Sequence, residues 1–367
     1  MTPKEIDERW MRLALTLGQR GLGQVWPNPA VGCLIVKNDR VVGRGWTQVG
    51  GRPHAEIHAL AQAGSSASGA TAYVTLEPCA HHGKSGPCAE ALIAAGVTRV
   101  VTAITDPDPR VSGKGHDILR AAGLDVAEGV LHACAAVDHQ GFFQKTAMGR
   151  PLVTLKLASS IDGRIATQTG DSRWITGPAA RRSVHMMRAR HDAILVGRNT
   201  VNADDPDLSV RDLGLADRSP VRVVLDSHLK TPRSSRLVQS AKQFQLWIFH
   251  LAISSDTYSL AEKGAQLVPC KPDATGRLDI VDVLNKLADR GVTRLMVEGG
   301  GQVAASLLKA GCVDRLALYS AGVAIGAEGL PNLAGMGITA LKDAPRFERA
   351  SVTELGPDIL SLWKRTY

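Results

Sequence analysis

The chain has 367 residues, 44% of them hydrophobic and 21% charged, an ordinary globular composition with length for two domains. Its formal net charge of +8 favours anionic partners such as phosphorylated metabolites, nucleotides or nucleic acid. No dense Lys/Arg run occurs and basic residues are not interleaved with aromatics, which argues against nucleic acid, and no apolar run is long enough to span a bilayer.

The opening stretch MTPKEIDERWMRLAL carries charges through an amphipathic pattern and lacks the layout of a secretory signal, so a cytoplasmic protein is expected. Residues 5–20 read as a helix with Ile6, Trp10, Leu13 and Leu17 on one face. Pro27-Asn28-Pro29 is a rigid turn. Val31–Val36 and Arg40–Trp46 read as strands joined at Asn38-Asp39. A helix over 54–63, a strand over Thr71–Leu76, a helix over Cys88–Ala95 closed by Gly96 and a strand over Arg99–Ile104 follow, an alternation that predicts an α/β layer fold. A linking helix over 129–150 ends at Gly149-Arg150-Pro151 and sets the predicted boundary between domains 1–149 and 150–367. Strands are then predicted at Leu152–Leu157, Ala193–Val196, Val221–Leu225, Gln245–Phe249 and Arg294–Val297. Helices are predicted at 177–189, 280–289 and 301–310, with long loops over 198–220, giving a second α/β domain.

Six cysteines in a chain of this length, without a signal, are expected to be reduced thiols, two of them metal ligands. Cys33 and Cys134 read as buried small hydrophobes. His54-Ala55-Glu56, Glu77-Pro78-Cys79 and Cys88 stand out. One His and two Cys suit Zn2+, and three protein ligands leave one tetrahedral position for water, the arrangement of a catalytic site. Glu56, two residues after His54, is placed to carry protons between that water and leaving ammonia. His81 and His82 are alternative ligands, loop residues or substrate contacts, with the last two preferred.

His54-x-Glu56 with Pro78-Cys79-x8-Cys88 resembles the zinc cytidine and nucleobase deaminases, and the insertion Ala80–Pro87 resembles their riboflavin-pathway branch. That branch commonly has Thr-Pro-Pro-Cys and Asp-Pro-Asn-Pro, where this chain has Ser85-Gly86-Pro87-Cys88 and Asp106-Pro107-Asp108-Pro109. The resemblance implies that Asn28 hydrogen-bonds the base or ribose, through an amide that both donates and accepts. Pro151–Ala166 resembles the opening of riboflavin-pathway reductases, which share the dihydrofolate-reductase fold; Lys156 sits on its strand and Asp162 in the next loop. Asp138-His139 stands where the family commonly carries Leu-Asn.

The second resemblance implies NADPH as cofactor, bound through Ala158, Trp174, Thr200, Asp204, Ser227, Gly300 and Gly301. Gly197-Arg198-Asn199-Thr200 would lie along the dinucleotide, Ser227 would meet its 2′-phosphate, and Glu298-Gly299-Gly300-Gly301 would offer helix N–H groups to phosphate. No Rossmann glycine fingerprint is present. Ser172, Arg188, Leu208, Arg211 and Glu298 would contact the substrate, the two arginines through its phosphate. The combined fold class is thus a cytidine-deaminase-like three-layer domain followed by a dihydrofolate-reductase-like α/β domain. The implied reactions are deamination of 2,5-diamino-6-(5-phosphoribosylamino)pyrimidin-4-one and NADPH-dependent reduction of its ribosyl group to ribityl, in a homo-oligomer that binds neither nucleic acid nor membrane. Two alternatives remain: an RNA or nucleoside deaminase with an unrelated appended domain, which would not need the second half, and a non-catalytic nucleotide-binding regulator, which would not need intact His54, Glu56, Cys79 and Cys88.

Overall fold

The computed structural model describes residues 1–82, 86–108, 111–251 and 256–366. The chain divides into two compact units, Met1–Arg150 and Pro151–Tyr367.

In the first unit, helix α1 (Pro3–Gly18) starts at a capping box: the Glu5 N–H donates to the Thr2 hydroxyl, and the Thr2 N–H donates to the Glu5 carboxylate. Its buried stripe includes Trp10, Met11, Ala14, Leu15 and Leu17. Leu13, expected on that face, is 46% exposed, because the heptad-like spacing is met better by Met11, Ala14 and Gly18. Strands β1 (Gly32–Lys37) and β2 (Arg40–Trp46) form a hairpin whose turn residues Asn38 and Asp39 both have positive φ, as a two-residue hairpin turn requires. β1 also pairs antiparallel with β3 (Thr71–Val74), which runs parallel to β4 (Arg99–Thr102), itself parallel to β5 (Asp125–Ala127). The sheet order is β2-β1-β3-β4-β5. Helices α2 (Ala55–Ala63), α3 (Cys88–Ala94), α4 (Lys114–Ala121) and α5 (His132–Met148) complete the unit. Cys33, Leu34 and Ile35 are successive and all buried, as happens when both sheet faces are covered.

Gly45 decides how close α2 comes to β2: a Cβ there would lie 2.0 Å from the Ala55 carbonyl oxygen. α4 and β5 were not predicted. Cys134 lies on the exposed side of α5, while its neighbour Ala135 is buried, so the buried reading of Cys134 is corrected. The Asp138-His139 departure ties α5 into its own unit. Gln19 donates to the Asp138 carboxylate, and the buried His139 ring pairs through Nε2 with Thr75.

The second unit is built on a nine-stranded sheet. Its strands in chain order are β6 (Leu152–Ser160), β8 (Ala193–Gly197), β9 (Val221–Leu225), β10 (Leu246–His250), β11 (Ala265–Pro269), β12 (Arg294–Val297), β13 (Arg315–Ala321), β15 (Phe347–Leu355) and β16 (Asp358–Arg365), while β7 (Arg164–Ala166) and β14 (Leu330–Pro331) pair separately. The order is β11-β10-β9-β8-β12-β6-β13-β16-β15, parallel as far as β13 and antiparallel beyond. Helices are α6 (Pro178–Arg188), α7 (Arg198–Asp204), α8 (Arg236–Gln239), α9 (Asp256–Glu262), α10 (Ile280–Asp289) and α11 (Gly301–Lys309). α7 corrects the expectation of loop from residue 198 onward. Every residue of β8 and β10 is buried, which explains their unbroken apolar runs. In this parallel arrangement the C-terminal ends of β8, β9 and β12 carry Arg198, Asp226 and Glu298, the position at which open α/β sheets bind ligands.

Candidate active sites

In the first unit, three elements converge. His54 is the N-cap of α2, Cys79 follows the strand end at Glu77-Pro78, and Cys88 opens α3. One ligand atom from each lies within 4.8 Å of the others. His54 Nδ1 is 3.3 Å from Cys88 Sγ and 3.7 Å from Cys79 Sγ. Bonds of about 2.0–2.3 Å to tetrahedral zinc put ligand atoms roughly 3.3–3.8 Å apart, so the donor set fits the ion in chemistry and both His54–sulfur distances fit it in spacing. The two thiols act as one coupled pair: the hydrogen bond from Cys88 lowers the Cys79 thiol and raises the Cys88 thiol in turn, so only one of them is readily ionised until a cation replaces the shared proton.

Glu56 sits in the first turn of α2, 4% exposed. Burial, with the charge of Cys79 adding to it, pushes its carboxyl up to about 7. A carboxyl that exchanges its proton near neutral pH suits a group that must both take and give one. Glu56 shares a pocket of about 140 Å³ with His54, Cys79, Asn28, His81 and Asp108. Glu77 also lines this pocket, but its carboxylate is taken up by the backbone N–H groups of Asp106, Gly113 and Gly115 at 2.9–3.1 Å, which ties Asp106 and the start of α4 to the pocket wall. Gly115 is required there, since a Cβ would lie 2.0 Å from the Pro78 carbonyl oxygen. Asp106 accepts from the Asp108 N–H, which keeps the turn although Asp108 replaces the family's amide. Asn28 donates to the Gly51 carbonyl oxygen at 2.8 Å, which orients its amide beside the pocket.

His81 lines the pocket and His82 faces Glu90 at the surface, and neither joins the metal cluster among the described residues. Gly83, Lys84 and Ser85 of the insertion, and Pro109 of the second motif, lie outside the described residues. Arg52 and Phe142 also line the pocket; the sequence assigns neither a role, although Phe142 follows the Asp138-His139 departure.

The second unit holds a cleft of about 450 Å³, within the usual range for a cofactor site. Thr200, Ser227, Gly300 and Gly301 all line it. α11 begins at Gly301 with no side-chain cap, so its first N–H groups are available to an anion, and the residues fit a dinucleotide phosphate. Ala158, Trp174 and Asp204 are not among the residues lining this cleft. Arg173 donates to the Asp204 carbonyl oxygen, which brings the Ser172–Trp174 loop to the end of α7. Trp174 is 71% exposed and stacks under Arg181.

Glu298 is the centre of a charged group. Arg188 grips it with two bonds, Nε to Oε1 at 2.7 Å and Nη2 to Oε2 at 2.9 Å, and Lys156 Nζ lies 3.8 Å from Oε2. Burial pushes the Glu298 carboxyl up, but the charges of Arg188 and Lys156 more than reverse this and hold it down to about 2. Arg188 also donates to the Ser209 carbonyl oxygen, next to Leu208, whose positive φ turns the chain toward Arg211. Arg188 is therefore largely engaged within the protein. Arg211 is 45% exposed in its side chain and faces Asp207 at 3.7 Å. Sequence reading noted Lys156 without giving it a role; the available signal was a single lysine inside the apolar strand LVTLKLASS.

Residues 151–361 match the family described as the RibD C-terminal domain, and residues 4–104 match the cytidine and deoxycytidylate deaminase zinc-binding region. The chain is 42% identical over 366 residues to the riboflavin biosynthesis protein RibD of Escherichia coli K12, covering 96% of this chain and 98% of that one. It is 42% identical over 355 residues to the protein of the same name from Bacillus amyloliquefaciens, with 96% and 95% covered. Among solved structures, form 1 of Acinetobacter baumannii RibD superposes with a TM-score of 0.88 at 37% identity, covering 99% of this chain and 100% of that one. A diaminohydroxyphosphoribosylaminopyrimidine deaminase/5-amino-6-(5-phosphoribosylamino)uracil reductase from Thermotoga maritima gives 0.88 at 32% identity, with 100% of each chain covered.

Proposed function

This chain belongs to the bifunctional RibD family of riboflavin biosynthesis, and we propose that its deaminase uses His54, Cys79 and Cys88 as zinc ligands and Glu56 as proton carrier. The protein is a deaminase and a reductase: it deaminates the phosphoribosylaminopyrimidine and reduces the ribosyl group, with zinc and NADPH as cofactors. The observation that carries the residue assignment is the grouping of His54, Cys79 and Cys88 beside a buried Glu56, with His54, Cys79 and Glu56 lining one small pocket. When bound, zinc supplies the acidity that makes water a nucleophile near neutral pH. Glu56 then holds the proton taken from water and passes it to the leaving amine, and Asn28 orients the ring.

In the reductase, NADPH supplies the hydride. Thr200, Ser227, Gly300 and Gly301 hold the cofactor, with Ala158, Trp174 and Asp204 contacting it nearer the reacting end. Lys156, fixed by Glu298, presents its ammonium to the ribosyl oxygen. Ser172, Leu208 and Arg211 hold the substrate, and Arg188 positions Glu298 with its remaining donors toward the phosphate. The two chemistries divide at Gly149-Arg150, a reading supported by the compact units and by a reductase-family match that begins at residue 151. Cytoplasmic action is supported by six free cysteines. A homo-oligomer acting on the small phosphorylated substrate, without nucleic acid or membrane, completes the reading; among the described residues no helix is long and apolar enough to cross a membrane.

A coupled assay on the full chain tests the whole: zinc-dependent ammonia release followed by NADPH oxidation. Cys88→Ser should lose zinc by elemental analysis and lose deamination while NADPH binding survives. Full zinc occupancy in that variant would remove Cys88 from the ligand set. Arg211→Ala should raise the reductase KM for the deaminated intermediate by roughly 10-fold or more, since a charge-assisted phosphate contact is lost. Deamination should be unchanged; an Arg211→Ala enzyme that reduces normally but no longer deaminates would place this arginine in the other site.

A further inference from the structure

At the C-terminal end of β9, Asp226 occupies the kind of position from which a carboxylate can accept from a ribose 2′-hydroxyl and so favour the cofactor without a 2′-phosphate. Here its oxygens are engaged within the protein. Oδ2 accepts from the Thr231 N–H at 2.6 Å and the Thr231 hydroxyl at 2.7 Å. Oδ1 faces Arg198 Nε at 3.7 Å and the His228 N–H at 3.4 Å, and the side chain is 1% exposed. The one acid among the residues lining the cleft is thus turned inward and neutralised by Arg198.

Arg277 lines the same cleft from the turn 272–278. Asp273 fixes that turn: its Oδ1 accepts from the Thr275 N–H, the Thr275 hydroxyl and the Arg277 N–H at 2.7–3.0 Å. The Asp273 N–H in turn donates to the Arg277 carbonyl oxygen at 2.7 Å. The backbone at Arg277 is therefore held, while its side chain is exposed and, among the described residues, its guanidinium makes no ion pair within 4.0 Å. A planar fork of donors on a fixed turn, in a cleft whose carboxylate is silenced, suits a phosphate dianion.

We propose that Arg277 is the residue that reads the 2′-phosphate distinguishing NADPH from NADH, with Arg198 acting to keep Asp226 from opposing it. This rests on the reading that the cleft lined by Thr200, Ser227 and Gly301 holds the cofactor. Ser227 contributes a neutral hydrogen bond beside it, whereas Arg277 contributes the charge, so discrimination follows the arginine.

The test is equilibrium binding to the full chain, with NADPH, NADH, 2′,5′-ADP and 5′-AMP as probes. Arg277→Gln should weaken NADPH and 2′,5′-ADP by roughly 10- to 100-fold, the range for a lost charged hydrogen bond, and leave NADH and 5′-AMP within about 2-fold. Arg277→Lys should recover part of the loss. An equal loss for both cofactors would put Arg277 on the pyrophosphate and overturn the proposal, as would an unchanged NADPH to NADH ratio. Ser306→Trp, which fills the same cleft from α11, separates that failure from failure of the underlying reading. If NADPH binds this variant undiminished, the cofactor lies elsewhere; if binding is lost while Arg277→Gln still discriminates normally, only the role of Arg277 falls.

Discussion

Glu56→Gln should retain zinc and lose deamination by about 10²–10⁴-fold, while reduction of externally supplied deaminated intermediate continues at the native rate. The amide matches the carboxyl in shape, so the buried first turn of α2 should keep its packing. It cannot take a proton from water or return one to the leaving nitrogen. The carboxyl is raised to about 7 chiefly by burial, so near neutral pH it is divided between its two states, which serves a shuttle better than a fully ionised group would. Elemental analysis and ammonia release on the same preparation check both halves of the expectation. Near-native turnover in a zinc-replete Glu56→Gln enzyme would mean that another group in the pocket, His81 or Asp108, moves the proton. Loss of zinc would instead make Glu56 a ligand or a support of one.

The sites differed in how far they could be read before the fold was known. The convergence of His54, Cys79 and Cys88 beside Glu56 was legible because metal chemistry restricts residue type, and short spacings tie these residues to a helix start and a strand end. The second site is assembled from strand ends far apart in sequence. Resemblance pointed to Thr200, Gly300 and Gly301 among the residues lining the cleft, whereas Arg277, which lines it too, sits in a turn with no motif of its own. The role of Glu77 was also hidden. A carboxylate two residues before Cys79 suggests chemistry, yet this one accepts three backbone N–H groups and shapes the pocket wall. Among the elements, the unbroken apolar segment of β8 was placed closely, and β2 was placed from the Asn38-Asp39 turn signal before it. The short α4 was missed because its sequence, KGHDILRA, has only two large apolar residues, and of those two only Leu119 is fully buried. β15 was missed because nearly all of it is exposed: pairing to β16 along one edge supplies its stability, and a hydrophobic period never develops.

Glu298→Gln should destabilise the second unit by about 3–5 kcal/mol near neutral pH, because it removes one partner from a buried charge group and leaves Arg188 and Lys156 facing a neutral amide. The size of the effect should depend on pH in a defined direction. The folded carboxyl is held down to about 2 from its ordinary value of 4.5, so its ionised form is favoured by folding. A depressed acid contributes stability above its unfolded value and loses it as pH falls through the folded one. The gap between native protein and Glu298→Gln should therefore be full above about pH 4.5 and shrink toward pH 2, a change of roughly 3 kcal/mol by linkage. Taking the difference between the two proteins removes the titration of every other carboxylate they share. Calorimetry on the full chain can follow this, since the transition belonging to the second unit is the one that rises with added NADPH. Reduction should fall as well, because Lys156 loses the carboxylate that fixes its ammonium 3.8 Å away, and the loss should appear in kcat more than in NADPH affinity. A stability gap that stays constant from pH 7 to pH 3 would show that Glu298 is not held ionised by its neighbours, and Lys156 would then need another anchor.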